Sequence, residues 1–181
     1  SALYAWRPTL ETRTSKTPGI GAPQLTIGLI SGGINTNVVP DRVVFRLDRR
    51  IVPEEKPEAV EAELREVIAK AASAVEGARV DVRRILLAQP LQRLPAGARM
   101  IEAFCRRASQ IMGEPISASG VPLYTDARHY TAHGVPIVLY GAGPRTIEEA
   151  NAHRADERLP LSDLAKATEV VALTLADLMA T

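Results

Sequence analysis

The stretch from Gln24 to Ile51, QLTIGLIS-GGINTNVVPD-RVVFRLDRRI, constrains the fold more than any other. Two β-rich runs flank a connection of Gly, Asn and Pro, residues that tolerate or impose unusual backbone angles, so two adjacent strands are predicted. In the second run, period-two alternation sets Val43, Phe45 and Leu47 on one face and Arg46, Asp48 and Arg50 on the other. Such a sheet packs helices on its apolar side and leaves the charged side to solvent or to a ligand.

The flanks supply helices. Residues 1 to about 16 read as a helix with Leu3, Trp6 and Leu10 on one side, and Pro8 is tolerable only near its first turn. TPGIGAP is a turn-and-loop signal. Pro53 to Pro57 opens the next helix with acidic residues near the positive end of its dipole. Val60, Leu64, Val67, Ile68, Ala71 and Val75 then recur at spacings of three and four. Gly77 ends that helix, and ARVDVRRILLA is predicted as a strand. Helix, strand, strand, helix, strand is a split β-α-β fold of the ferredoxin type lacking its first strand.

Pro90 to Pro95 breaks the pattern and marks a domain boundary, giving domains of 1–88 and 89–181. Beyond it, Met100, Ile101, Phe104, Cys105, Ala108, Ile111 and Met112 form a helical stripe, so Cys105 reads as core and not as a nucleophile. PISASG is read as a short strand, and Thr125 or Asp126 is placed to cap a helix through Ala127 to Ala132. VPIVLYGAG reads as a strand buried on both faces. Ser162 is predicted to cap a last helix in which Leu164, Val171, Leu175 and Leu178 share a face. The fold class is therefore α+β, a ferredoxin-like domain followed by an α/β segment.

Charge and cysteine content narrow the function. A net charge of +1, with no Lys/Arg block, argues against a nucleic-acid groove or an anionic membrane surface. No apolar run approaches transmembrane length. The single cysteine forms no internal disulfide, and these features fit a cytoplasmic protein. Of the three histidines, His129 and His133 read as capping or surface residues, while His153 follows the glycine-broken end of a strand, where α/β sheets place binding sites.

GG-x-x-x-NVVPD followed by a strand ending in D-x-R resembles the lid-domain signature of the metallo-amidohydrolase family of acetylornithine deacetylase, succinyl-diaminopimelate desuccinylase and glutamate carboxypeptidase. TDAR at 125–128 and GAGP…ANAHRADE at 141–157 follow in the family's order. The resemblance implies a lid or dimerisation domain over 1–88, then the C-terminal part of a zinc-peptidase-like catalytic domain. It also implies an enzyme that cleaves the amide bond of N-acyl amino acids or small peptides. Two zinc ions per full-length subunit would serve it, with cobalt or manganese as alternatives. A homodimer through the lid is the implied assembly.

By the same resemblance His153 is a metal ligand, with Glu157 in a supporting role. Arg50 holds a substrate carboxylate, Asn37 makes polar contacts near the reacting carbonyl, and Thr125 is a backbone binding site at a helix start. Tyr124 stands where many relatives have glycine. The family's His-x-Asp motif, bridging aspartate and general-base Glu-Glu pair lie ahead of the lid, and none is matched here. No catalytic residue is therefore assigned, and the chain alone is expected to be inactive and to bind metal poorly. The alternative is a non-catalytic dimerisation or binding module of the same fold.

Overall fold

The computed structural model describes residues 2–143, 147–152 and 154–180. It separates into two compact units, one of 1–90 with 119–124 and one of 91–118 with 125–181.

In the first unit, α1 (Ala2–Glu11) and α2 (Pro57–Ser73) flank an antiparallel pair, β1 (Leu25–Gly32) and β2 (Val43–Arg49). Leu3, Leu10, Leu25 and Ile68 form the buried core, with Trp6, Ile27, Leu47, Leu64, Val67 and Val82 packed against it. Helix α1 stops at Glu11, short of 16, because the following residues have other partners. The Ser15 hydroxyl and the Lys16 amide both donate to the Glu54 carboxylate, at 2.9 and 2.8 Å. Pro8 sits inside α1 and not in its first turn.

Gly28 is a bulge. Ile27 pairs with Leu47 and Leu29 with Arg46, so Gly28 is left without a partner and the side-chain alternation is reset. Ile30 thereby faces the same side as Phe45 and Leu47. The helices reach only Leu25, Ile27 and Leu47 along this face. Val43 and Phe45 stay 54% and 42% exposed, which corrects the expectation that the unit's own helices cover the Val43 face.

The segment from Ala78 to Ala88 is not a strand, although its composition predicted one. The sheet has two strands only, so this segment has no ladder to join. Side chains of α2 hold it instead. Arg65 donates to the Val82 carbonyl at 2.9 Å, Glu61 accepts from Arg84 at 3.0 Å, and Glu58 accepts from Gln89 at 3.3 Å. The segment thus runs antiparallel to the helix.

In the second unit a 3₁₀ turn, Pro95–Gly97, leads into α3 (Ala98–Met112), which packs on α6 (Leu161–Met179). Gly113 closes α3 with φ of 78°, the left-handed cap that favours glycine. Short helices α4 (Ala127–Ala132) and α5 (Ile147–Ala150) lie between. Residues 115–120 and 135–140 are not strands, since the pair β1–β2 is the only sheet among the described residues. The 135–140 run packs on α3 through its side chains, with the Phe104 and Tyr140 rings 5.4 Å apart.

Two expectations for α6 are corrected. The helix starts at Leu161 after Pro160, and the Ser162 hydroxyl contacts Asp163 instead of capping it. Its buried stripe is Ala167, Val170 and Thr174. The predicted stripe lies beside that one on the helix surface, leaving Leu164 and Leu175 45% and 51% exposed. A helix apolar on two adjacent faces does not reveal from sequence which of them a single neighbour covers.

Candidate functional site

The end of β2 builds the first part of the site. Alternation along the strand turns consecutive arginines to opposite sides. Arg49 faces inward, where Glu55 holds its guanidinium at 2.6 and 3.1 Å and the Trp6 ring lies 6.0 Å away. Arg50 faces outward. Its amide donates to the Gln24 carbonyl at 2.8 Å, which fixes the backbone, and its Nε lies 3.2 Å from Asp48. Both side chains of this outer pair are more than half exposed, so the guanidinium keeps donors to offer.

Asn37 lies in the connection between the strands. The Asn35 side chain accepts the Thr36 amide at 2.7 Å, and its carbonyl accepts the Val38 amide at 3.3 Å. These bonds make a turn with Thr36 and Asn37 at its centre, and Asn37 is exposed there. Gly32 lets the turn close, since a Cβ at this position would meet the Arg42 carbonyl oxygen at 2.5 Å. Asn37 lies in the connection before β2 and Arg50 directly after it, so the seven-residue strand, roughly 23 Å long at the rise of extended chain, runs between them. The structure does not bring these two residues together.

Thr125 is half-buried at the entry to α4. Its hydroxyl accepts the Ala127 amide at 3.3 Å, and its carbonyl accepts from Arg128 at 2.9 Å. Asp126 occupies the cap position without a side-chain cap bond. Thr125 thus satisfies one of the amides that an anion would use, and the helix has only six residues.

His153 lies outside the described residues. Asn151, at φ of 52°, donates through its side chain to Asp156 and accepts from Arg154 at 3.0 Å. The Glu157 amide donates to the Arg154 carbonyl at 3.2 Å. His129 is exposed, 4.0 Å from Asp126, and the His133 Nδ1 lies 2.7 Å from the His129 carbonyl. Among the described residues no group of three or more His, Cys, Asp or Glu side chains is placed to hold a metal ion.

Residues 8–76 match the M20 peptidase dimerisation domain. Over 141 residues the chain is 33% identical to a succinyl-diaminopimelate desuccinylase of Magnetococcus marinus, an alignment covering 77% of this chain and 34% of that protein. This chain carries an M20 peptidase dimerisation domain. Two solved structures share its fold. An M20 family metallo-carboxypeptidase from Sulfolobus solfataricus superposes with a TM-score of 0.60 at 21% identity, over 84% of this chain and 35% of that one. Aminopeptidase PepT from Bacillus cereus superposes with a TM-score of 0.57 at 23% identity, over 95% and 43%. The chain spans about a third of the length of the curated relatives it matches. No helix among its described residues is long and apolar enough to cross a membrane.

The buried Arg49–Glu55 pair is the feature that sequence reading missed. Its signal was present, because Arg49 falls on the same parity as Leu47 and an acidic residue follows six positions later.

Proposed function

We propose that this M20 chain forms the substrate-binding and dimerisation part of a metal-dependent hydrolase that cleaves the amide bond of N-acyl amino acids or small peptides. The observation that carries the reading is the desuccinylase alignment across 77% of the chain, joined to an exposed arginine at the end of β2. A guanidinium there suits bidentate recognition of a free carboxylate. Asp48 holds Arg50 in place until a ligand competes for its donors.

Domains of 1–88 for the lid and 89–181 for the C-terminal catalytic segment belong to this reading, as do Thr125 as a backbone contact and His153 as a metal ligand. Zinc is the proposed metal and the cytoplasm the proposed compartment. The homodimer is supported by the dimerisation-domain match over 8–76. It also answers the separation of Asn37 from Arg50. A small N-acyl amino acid held by Arg50 is out of reach of the same chain's Asn37, and a second copy supplies another loop.

The 181-residue chain is proposed to be inactive alone, because the residues it contributes are for binding and assembly. The test is metal analysis, light scattering and an assay of the purified chain against N-succinyl and N-acetyl amino acids and dipeptides. A particle of twice the 19.5 kDa chain mass, without hydrolysis and with weak ligand binding lost in Arg50→Ala, is expected. Turnover with about two zinc ions per chain would overturn the assignment of binding without catalysis. A ligand affinity unchanged by Arg50→Ala favours the non-catalytic module.

A further inference from the structure

Ser119–Tyr124 is part of the first unit, although the residues on either side of it belong to the second. The Gly120 amide donates to the Pro18 carbonyl at 2.6 Å. The turn that receives it is held independently. The Ile20 amide donates to Thr17 at 3.1 Å, the Ser15 amide to Gly21 at 3.3 Å, and Glu54 accepts from both Ser15 and Lys16. On that turn Gly19 has φ of 84°, in the left-handed region.

The contact admits no side chain from either glycine. A Cβ on Gly19 would lie 2.3 Å from the Gly120 carbonyl oxygen. A Cβ on Gly120 would lie 2.5 and 2.9 Å from Ile20 Cγ1 and Cδ1, and 3.0 Å from Thr17 Cγ2. After Gly120 the chain makes a three-residue turn, with the Leu123 amide donating to Val121 at 2.8 Å, and Tyr124 ends the segment.

We propose that Gly19 and Gly120 are positioning residues: their side-chain-free contact straps Ser119–Tyr124 onto the Thr17–Ile20 turn and so fixes a distant segment of the chain to the first unit. The strap stands on its own geometry.

Amide hydrogen exchange of the 181-residue chain, followed by NMR, tests it. In the wild type the Gly120 amide should exchange at least about tenfold more slowly than in an unstructured peptide. Gly19→Ala should remove that protection, while the Ile27 and Leu47 amides keep theirs. Gly77→Ala is the control, because Gly77 also has positive φ but no atom within 4 Å of its Cβ position, and it should leave Gly120 protected. Gly120→Ala should lose protection at position 120, and adding Ile20→Ala should restore it by removing the two nearest clashing atoms.

An unprotected Gly120 amide in the wild type, retained protection in Gly19→Ala, or no rescue by Ile20→Ala would each overturn the proposal. If Gly19→Ala unfolds the hairpin as well, the rescue pair decides alone.

Discussion

Arg49 and Arg50 are consecutive residues with opposite surroundings: the first has a side chain 4% exposed and bonded to Glu55 at 2.6 Å, the second is 57% exposed and 3.2 Å from Asp48. A strand has a side-chain period of two, so one residue serves the interior and its neighbour is left for the surface. The same chemical group therefore has two separable jobs.

Arg49→Ala should destabilise the first unit by about 3 kcal/mol, because it leaves the Glu55 carboxylate, 14% exposed, without its bidentate partner. Arg50→Ala should change stability by no more than about 0.5 kcal/mol. Urea denaturation of both variants, read by the fluorescence of Trp6 beside Arg49, makes the comparison. Equal losses would contradict the two-sided reading of β2.

Asp177 on α6 accepts from Arg107 at 2.8 Å and from Arg106 at 2.7 Å, tying α6 to α3. These bonds, the one from Arg107 first, hold its carboxyl well below the usual carboxylate range. A carboxyl lowered on folding adds stability above its unfolded value, near pH 4, and loses it as pH falls toward the folded value. Asp177→Asn should lower Tm by about 2–4 °C at pH 7. The gap to wild type should then narrow below about pH 4. Thermal melts at pH 7, 5 and 3 check the sign, and a gap that widens in acid would contradict it.

Thr174 is fully buried on α6, and its hydroxyl has no hydrogen-bond partner among the described residues. Burying such a group costs free energy that a methyl does not. Thr174→Val should raise the stability of the second unit by about 1 kcal/mol. Chemical denaturation monitored by circular dichroism measures it. A loss of similar size would mean that the hydroxyl is satisfied.

Much of this was open to the reader of the sequence. The strands β1 and β2 are set by β-branched alternation around a Gly/Asn/Pro connection, and α2 and α3 by apolar spacings of three and four. Those signals are local, carried by residues within a few positions of one another. The M20 motifs lie in the same legible class, since they are read residue by residue. Segments 78–88 and 135–140 were misread because a strand is not a local property. Composition makes a residue suited to a ladder, and only a neighbouring strand provides one.

The candidate site divides the same way. That Arg50 belongs to the polar face of β2 follows from counting along the chain. That β2 pairs with β1 and so keeps Arg50 at the far end of the hairpin from the connection that holds Asn37 follows only from the ladder. The sequence by itself determined which residues prefer helix or strand and which family the motifs resemble. Tertiary structure alone decided which apolar stripe of α6 is covered, how far the helices extend along the Val43 face, and that Gly19 meets Gly120. The physical reason is that burial and close approach are properties of pairs of surfaces, and residues about a hundred positions apart carry no local signal that they will touch.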